Sequence, residues 1–256
     1  PADDGIIQVE HPMQLDPTSM LLASIMAKKF AIGATDLLID IPFGSGTKAT
    51  SARARELEKK FLQLGKRLGM NVRVIRTDGS QPIGHGIGPI LEARDVLWVL
   101  KNDKMQPKDL RKKAVMMAGL LLEMGGKARK GAGKKLAENI LKSGKAWRKM
   151  RQIIKAQGGN ANVNPEKLSP GQDTEVIKAG RSGKISAIDN NIIKRACRYL
   201  GAPYDKGAGI YLYKHAGERV KLGEKLFTMY AESGHKLSDA IQFVERNNPC
   251  TINSNK

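Results

Sequence analysis

The chain has 256 residues, 41% of them hydrophobic, and a formal net charge of +19 at pH 7. That length can bury one large core or two smaller ones, and no apolar run approaches the roughly 18 residues of a membrane span, so a membrane partner is not expected. The charge would suit nucleic acid, but aromatics make up only 5% of the residues, which leaves few stacking platforms for single strands.

Residue 1 is proline, and Ile6, Ile7 and Val9 read as a strand only a few residues into the chain, so a fragment of a longer protein is expected. Thr18–Ile32 then places Leu21, Leu22, Ile25 and Met26 on one helical stripe, with Ser24 and Lys28 one turn apart, and Gly33 at its stop. Leu37–Phe43 is a mainly apolar run that reads as a strand buried on both sides. A second helix is expected over Ser51–Leu68, with Leu57, Phe61, Leu64 and Leu68 in phase and Gly69 beyond it; Val72–Thr77 is the next strand. Strand, helix and strand at this spacing make a right-handed βαβ unit with parallel strands.

The loop Gly44-Ser45-Gly46-Thr47-Lys48 therefore lies at the carboxyl end of a strand, where α/β sheets place their ligands. Glycines there let backbone N–H groups converge on an anion. The spelling matches neither the nucleotide-triphosphate loop nor the dinucleotide fingerprint, so a plain strand-to-helix turn stays open beside a phosphate role. Asp78–Gly88, DGSQPIGHGIG, is a second glycine-rich loop at the same sheet edge, leading into an apolar helix that starts near Pro89. Two such loops outline a site.

A helical segment is expected over Lys108–Gln157. Within its basic stretch Lys127–Lys155, Leu136, Ile140, Trp147, Met150, Ile153 and Ile154 recur at helical spacing, which favours an amphipathic helix with a solvated basic face over a nucleic-acid surface. Gly158–Gly171 has the composition of a linker. Beyond it the texture changes to short strands and turns, most clearly in Gly209–Ala231, whose spacing is similar to the barrel-sandwich modules of biotinyl and lipoyl carriers but shows no modifiable lysine in the carriers' flank. The expected organisation is an α/β portion with a parallel-sheet βαβ unit and a basic helical segment over 1–157, a linker at 158–171, and an α+β domain with a barrel-sandwich-like β module over 172–256. Cys197 and Cys250 fit neither a disulfide framework nor metal-ligand spacing, Cys250 sits in a polar tail, and the 4 histidines show no zinc pattern, so no metal is expected and the cytoplasm is the expected compartment.

The segments PADDG, LLASIMAKK, IDIPFGSGTK, DGSQPIGHGIGPILEARDVL, IIKAQGG and GIYLYKHAGERVKLGEKL occur in this order. Together they resemble the thymidine and pyrimidine-nucleoside phosphorylase family, in particular its longer branch, which includes archaeal AMP phosphorylases. The resemblance implies a pentosyltransferase of nucleoside salvage, with inorganic phosphate as co-substrate and no other cofactor, acting as a homodimer. The first expectation is phosphorolysis of thymidine to thymine and 2-deoxyribose 1-phosphate. The alternative is AMP phosphorolysis to adenine and ribose 1,5-bisphosphate, and a basic nucleic-acid-binding protein is the reading from another class.

In this family the serine and lysine of an S-x-x-x-K motif grip the base, which here implies Ser24 and Lys28. Short-branch members add an arginine before that helix; this chain has none, and His11 is the nearest substitute, lacking the bidentate fork of a guanidinium. The resemblance puts Gly44–Lys48 beside the bound phosphate and sugar and the direct phosphate ligands upstream of Pro1. Residues 1–256 alone are accordingly expected to be inactive.

Overall fold

A computed structural model of the chain describes residues 18–47 and 49–254. Three of the sequence-based expectations, the early strand at Ile6–Val9 and the site residues His11 and Lys48, lie outside the described residues. The architecture is mixed α/β, with one parallel pair of strands and two antiparallel sheets among those residues.

Helix α1 (Thr18–Ala31) buries Leu22 and Met26, with Leu21 and Ile25 partly covered. Strand β1 (Asp36–Phe43), helix α2 (Ser51–Arg67) and strand β2 (Asn71–Asp78) form a βαβ unit, with β1 and β2 parallel from Asp36↔Asn71 to Phe43↔Asp78. Helix α2 forms because Leu57, Phe61 and Ala54 fall on one face and because Thr50 accepts from the Arg53 amide at 3.3 Å as its N-cap. Phe61 is 2% exposed between α1 and β1, a burial that contributes about 2–3 kcal/mol. Strand β1 corrects one expectation. Leu37, Ile39 and Ile41 are buried while Leu38 and Asp40 are only half-buried, because one face of the strand meets α1 and α2 and the other carries a charged residue.

After the short strand β3 (Gly86–Ile87) come helices α3 (Pro89–Lys101), α4 (Lys108–Met124), α5 (Gly133–Lys142) and α6 (Lys145–Ala156). The expected single helical segment over Lys108–Gln157 is thus broken twice, at Gly125–Ala132 and at Ser143-Gly144, where Gly144 adopts φ 72°. Val99, Val115, Ala137 and Leu141 make the small core that joins α3, α4 and α5. Helix α6 buries no residue completely, and Ile153, read as part of its apolar stripe, is 45% exposed.

Residues 158–171 run as irregular chain with a 3-10 turn at Pro165–Lys167, tied to α3 by Trp98 Nε1 donating to Glu166 Oε1 at 3.3 Å. The rest comprises β4 (Asp173–Lys178), β5 (Gly183–Ile188), α7 (Asn190–Tyr199), β6 (Gly209–Leu212), β7 (Arg219–Val220), β8 (Lys225–Ala231), α8 (Gly234–Arg246) and β9 (Cys250–Asn253). One sheet has the order β3-β6-β8-β4 and the other β7-β5-β9. Ile185, Leu200, Ile210, Phe227 and Met229 fill the core between them and helices α7 and α8. Because β3 pairs with β6 through Gly86↔Tyr211 and Ile87↔Ile210, the loop that follows β2 ends as an edge strand of the carboxy-terminal sheet. Cys250 is buried in β9 rather than set in a polar tail, since the last strand alternates inward and outward and Cys250 and Ile252 point in.

Among the described residues, no helix is long and apolar enough to cross a membrane.

Candidate active site

The carboxyl ends of β1 and β2 open into a cavity of about 510 Å³. Such a volume suits a ligand of nucleotide size. Helix α1 contributes Leu21 and Ile25 to its wall, the glycine loop Gly46 and Thr47, the second loop Asp78, Gly79, Gln81 and Ile83, and more distant elements Lys113 and Asn190.

The glycine loop is held by its own threonine. Thr47 Oγ1 lies 2.8 Å from the Gly44 carbonyl and 2.9 Å from the Ala49 carbonyl, and the Gly44 amide donates to Ala49 O at 3.2 Å. The amides of Gly44 and Thr47 are thus engaged inside the turn, the latter with Gly44 O at 3.3 Å. What the loop offers a ligand is its outer edge at Gly46 and Thr47, while Gly44 is turned toward the Ser80 backbone.

The second loop packs directly on the first. Gly79 donates its amide to Phe43 O at 2.9 Å, and a Cβ at position 79 would lie 2.7 Å from Thr47 Cγ2, so only glycine lets the two loops meet. Asp78 accepts from the Ser80 amide at 2.9 Å, and that bond, followed by one to the Ser80 hydroxyl, holds its carboxyl below the usual carboxylate range. Further along, the loop wraps around Asp95 of α3. Asp95 Oδ2 accepts from the amides of His85 and Gly86 at 2.7 and 2.8 Å, while its Oδ1 is buried without a hydrogen-bond partner. Burial drives the Asp95 carboxyl upward in pKa despite the two amides.

The cavity wall carries a polar group that sequence reasoning missed. Lys113 Nζ on α4 is 2.5 Å from Asp40 Oδ2 on β1 and donates to Thr77 Oγ1 at 3.0 Å, while Thr77 donates to Asp40 Oδ1 at 2.7 Å. Asn190 was missed as well; its Nδ2 donates to Gly79 O at 2.8 Å.

Of the residues read from the sequence, Gly46 and Thr47 line the cavity, and Ser45 is exposed beside them. Ser24 is half-buried and Lys28 exposed on α1. With the wall residues Leu21 and Ile25 they follow the i, i+3, i+4, i+7 spacing of one helix face. Neither thiol lines the cavity, and Cys197 is pushed up to about 12 by burial and then by Glu92, and Cys250 to about 11 by burial. Among the described residues, no group of three or more His, Cys, Asp or Glu side chains is placed to hold a metal ion.

Residues 184–250 match the family model for the pyrimidine nucleoside phosphorylase C-terminal domain. The AMP phosphorylase of Thermococcus kodakarensis is 51% identical over 253 residues, which is 98% of this chain and 50% of that protein. The AMP phosphorylases of Pyrococcus abyssi and Methanosarcina mazei are 49% and 46% identical over the same shares. The chain spans about half the length of the curated relatives it matches. These names correct the first expectation drawn from the sequence. Thymidine phosphorolysis gives way, because the relatives that match almost the whole chain are named for AMP. The motif-by-motif resemblance, the domain match and these relatives together lead to one conclusion: the chain belongs to the pyrimidine nucleoside phosphorylase family.

Proposed function

We propose that the native protein cleaves AMP with inorganic phosphate, giving adenine and ribose 1,5-bisphosphate. The observation that carries this reading is the identity of 46–51% to AMP phosphorylases across 98% of the chain. A phosphate oxygen bonds to C1′ of the ribose as the bond from C1′ to the base nitrogen breaks. The electron pair leaves on the base, which takes up a proton.

Such a reaction needs a water-poor cleft and a donor aimed at the charge that grows on the departing base. The cavity at the ends of β1 and β2 supports the first need, with apolar wall residues that include Leu21, Ile25 and Ile83. Lys28 and Ser24 serve the second in this reading. An ammonium and a hydroxyl one helical turn apart can address two polar edges of one planar ring. Gly46 and Thr47 then border the sugar and its phosphates, and two protomers of the native protein pair as a dimer.

The test is the appearance of free adenine from AMP, with and without phosphate, run in parallel with thymidine and uridine. Adenine release that depends strictly on phosphate supports the proposal. Release of thymine or uracil without adenine refutes it.

A further inference from the structure

One side of the cavity comes from far along the chain. Asn190 is the first residue of α7, and its position is fixed from the carboxy-terminal core. Asp189 caps the helix, its Oδ1 accepting from the amides of Asn191 and Ile192 at 2.8 and 3.1 Å, while its own amide donates to Pro249 O at 2.8 Å. Ile188, just before it, is 2% exposed inside the core. A side chain on the first residue of a capped helix that stands on a buried strand has a nearly fixed origin.

From that origin the carboxamide reaches the meeting point of the two loops. Nδ2 donates to the Gly79 carbonyl at 2.8 Å. On the other flank, a Cβ added to Gly46 would lie 3.2 Å from Asn190 Cβ. Asn190 therefore holds the second loop by a hydrogen bond, approaches the glycine loop so closely that a Cβ on Gly46 would press on it, and lines the cavity beside both. Other bonds fasten the same loop to the same half of the chain: Ala216 N to Gln81 Oε1 at 2.7 Å, His215 Nε2 to Gly84 O at 2.8 Å, and His85 Nδ1 to Leu212 O at 3.2 Å. Those hold the loop farther from the point where it meets Gly46 and Thr47.

We infer that Asn190 is a positioning residue for phosphorolysis: it sets the separation of the two loops, and so the shape of the substrate cavity, without touching the reacting atoms. The inference rests on the cavity being the substrate site proposed above. Without the bond to Gly79 the loops sample more arrangements, and substrate must order them as it binds. The effect then falls on KM more than on kcat.

The substitution Asn190→Asp keeps the shape of the side chain and replaces the donor with an oxygen that faces the Gly79 carbonyl. In the native protein it is expected to raise KM for AMP about tenfold and change kcat less than threefold. Hydrogen exchange supplies a readout that does not depend on turnover. The Gly44, Thr47 and Gly79 amides, bonded to Ala49 O, Gly44 O and Phe43 O, should exchange at least tenfold faster in the variant, while the amides of Ile39 and Val74 inside the paired strands keep their rates. Unchanged exchange at the loops overturns the inference, and so does faster exchange with an unchanged KM. Faster exchange throughout β1 and β2 also overturns it, because Asn190 would then be a general structural support. Absence of AMP turnover in the unsubstituted protein refutes the function proposed above, whereas the exchange measurement reports on the loops regardless.

Discussion

Lys113 and Asp40 form an ion pair of 2.5 Å that joins the middle of α4 to the centre of β1 at the wall of the cavity. Thr77 of β2 closes the group by bonding both partners, so three elements distant in sequence share one polar contact. The side chains are 25% and 15% exposed, which places the pair between the weak surface case and the fully desolvated one. Lys113→Met should destabilise the fold by about 1–3 kcal/mol, since it leaves Asp40 with only part of its hydrogen bonding. Asp40→Asn should cost less because its carboxamide oxygen still accepts from Thr77. Urea unfolding of both variants checks the order.

Lys28→Ala should act on turnover and not on folding. Lys28 is exposed on α1, whose buried residues are Leu22 and Met26. In the proposed role the substitution costs roughly 2–4 kcal/mol of transition-state stabilisation, the scale of one lost preorganised donor. Its unfolding free energy should stay within about 0.5 kcal/mol of the parent, as for other surface changes. Near-normal AMP phosphorolysis by this variant would remove Lys28 from the site.

Gly46 and Gly69 give a matched pair. Both adopt left-handed backbone, at φ 74° and 68°, and a Cβ at Gly69 meets nothing within 4 Å. Alanine at either position should cost about 1–2 kcal/mol from the backbone alone. Only Gly46→Ala also presses on Asn190, so only that variant should raise KM for AMP. Equal kinetics for the two would detach the Gly46 contact from the cavity.

Asp95 makes stability depend on pH. Its folded carboxyl titrates above the ordinary value of 3.8, chiefly through burial, with Asp109 adding to the rise and His85 opposing it. Below 3.8 both folded and unfolded states hold the proton. As pH climbs past that value the unfolded chain releases its proton first, so the folded state loses stability until pH passes the folded pKa. Asp95→Asn keeps an acceptor for the His85 and Gly86 amides and cannot ionise. Its melting temperature relative to the parent should therefore rise with pH from about 4 upward and then level off. A difference that is flat from pH 3.5 to 7 would contradict the assignment. Asp95→Ala strands both amides and should cost about 2–4 kcal/mol at any pH.

Much of the first half was legible in the sequence because its elements are strongly periodic. Leu22, Met26, Leu57 and Phe61 announce α1 and α2 by spacing, and Pro89 opens α3 where a fixed φ suits the first turn. The loops between β1, α2, β2 and α3 followed from those boundaries. The breaks inside Lys108–Gln157 were harder to read, because small residues and lysines continue through the turns and blur the period. Cys250 was misread for a related reason, since Asn and Ser around it mask a four-residue strand that tertiary pairing with β5 creates. Asn190 and the Lys113–Asp40–Thr77 group left no local signal at all. Each depends on residues brought together across 36 to 111 positions of chain. The motifs quoted from the sequence did not separate thymidine from AMP, and it was the relatives' names that redirected the reading.

The most direct test of the account is the identity of the sugar product. Native protein is incubated with AMP and phosphate, and the phosphorus NMR spectrum is followed as free adenine appears. The account predicts a pentose carrying two phosphate monoesters, one at C5 and a new one at C1, formed in equal amount with adenine. A pentose with the C5 phosphate alone would mean that water, not phosphate, attacks C1′, and would contradict it.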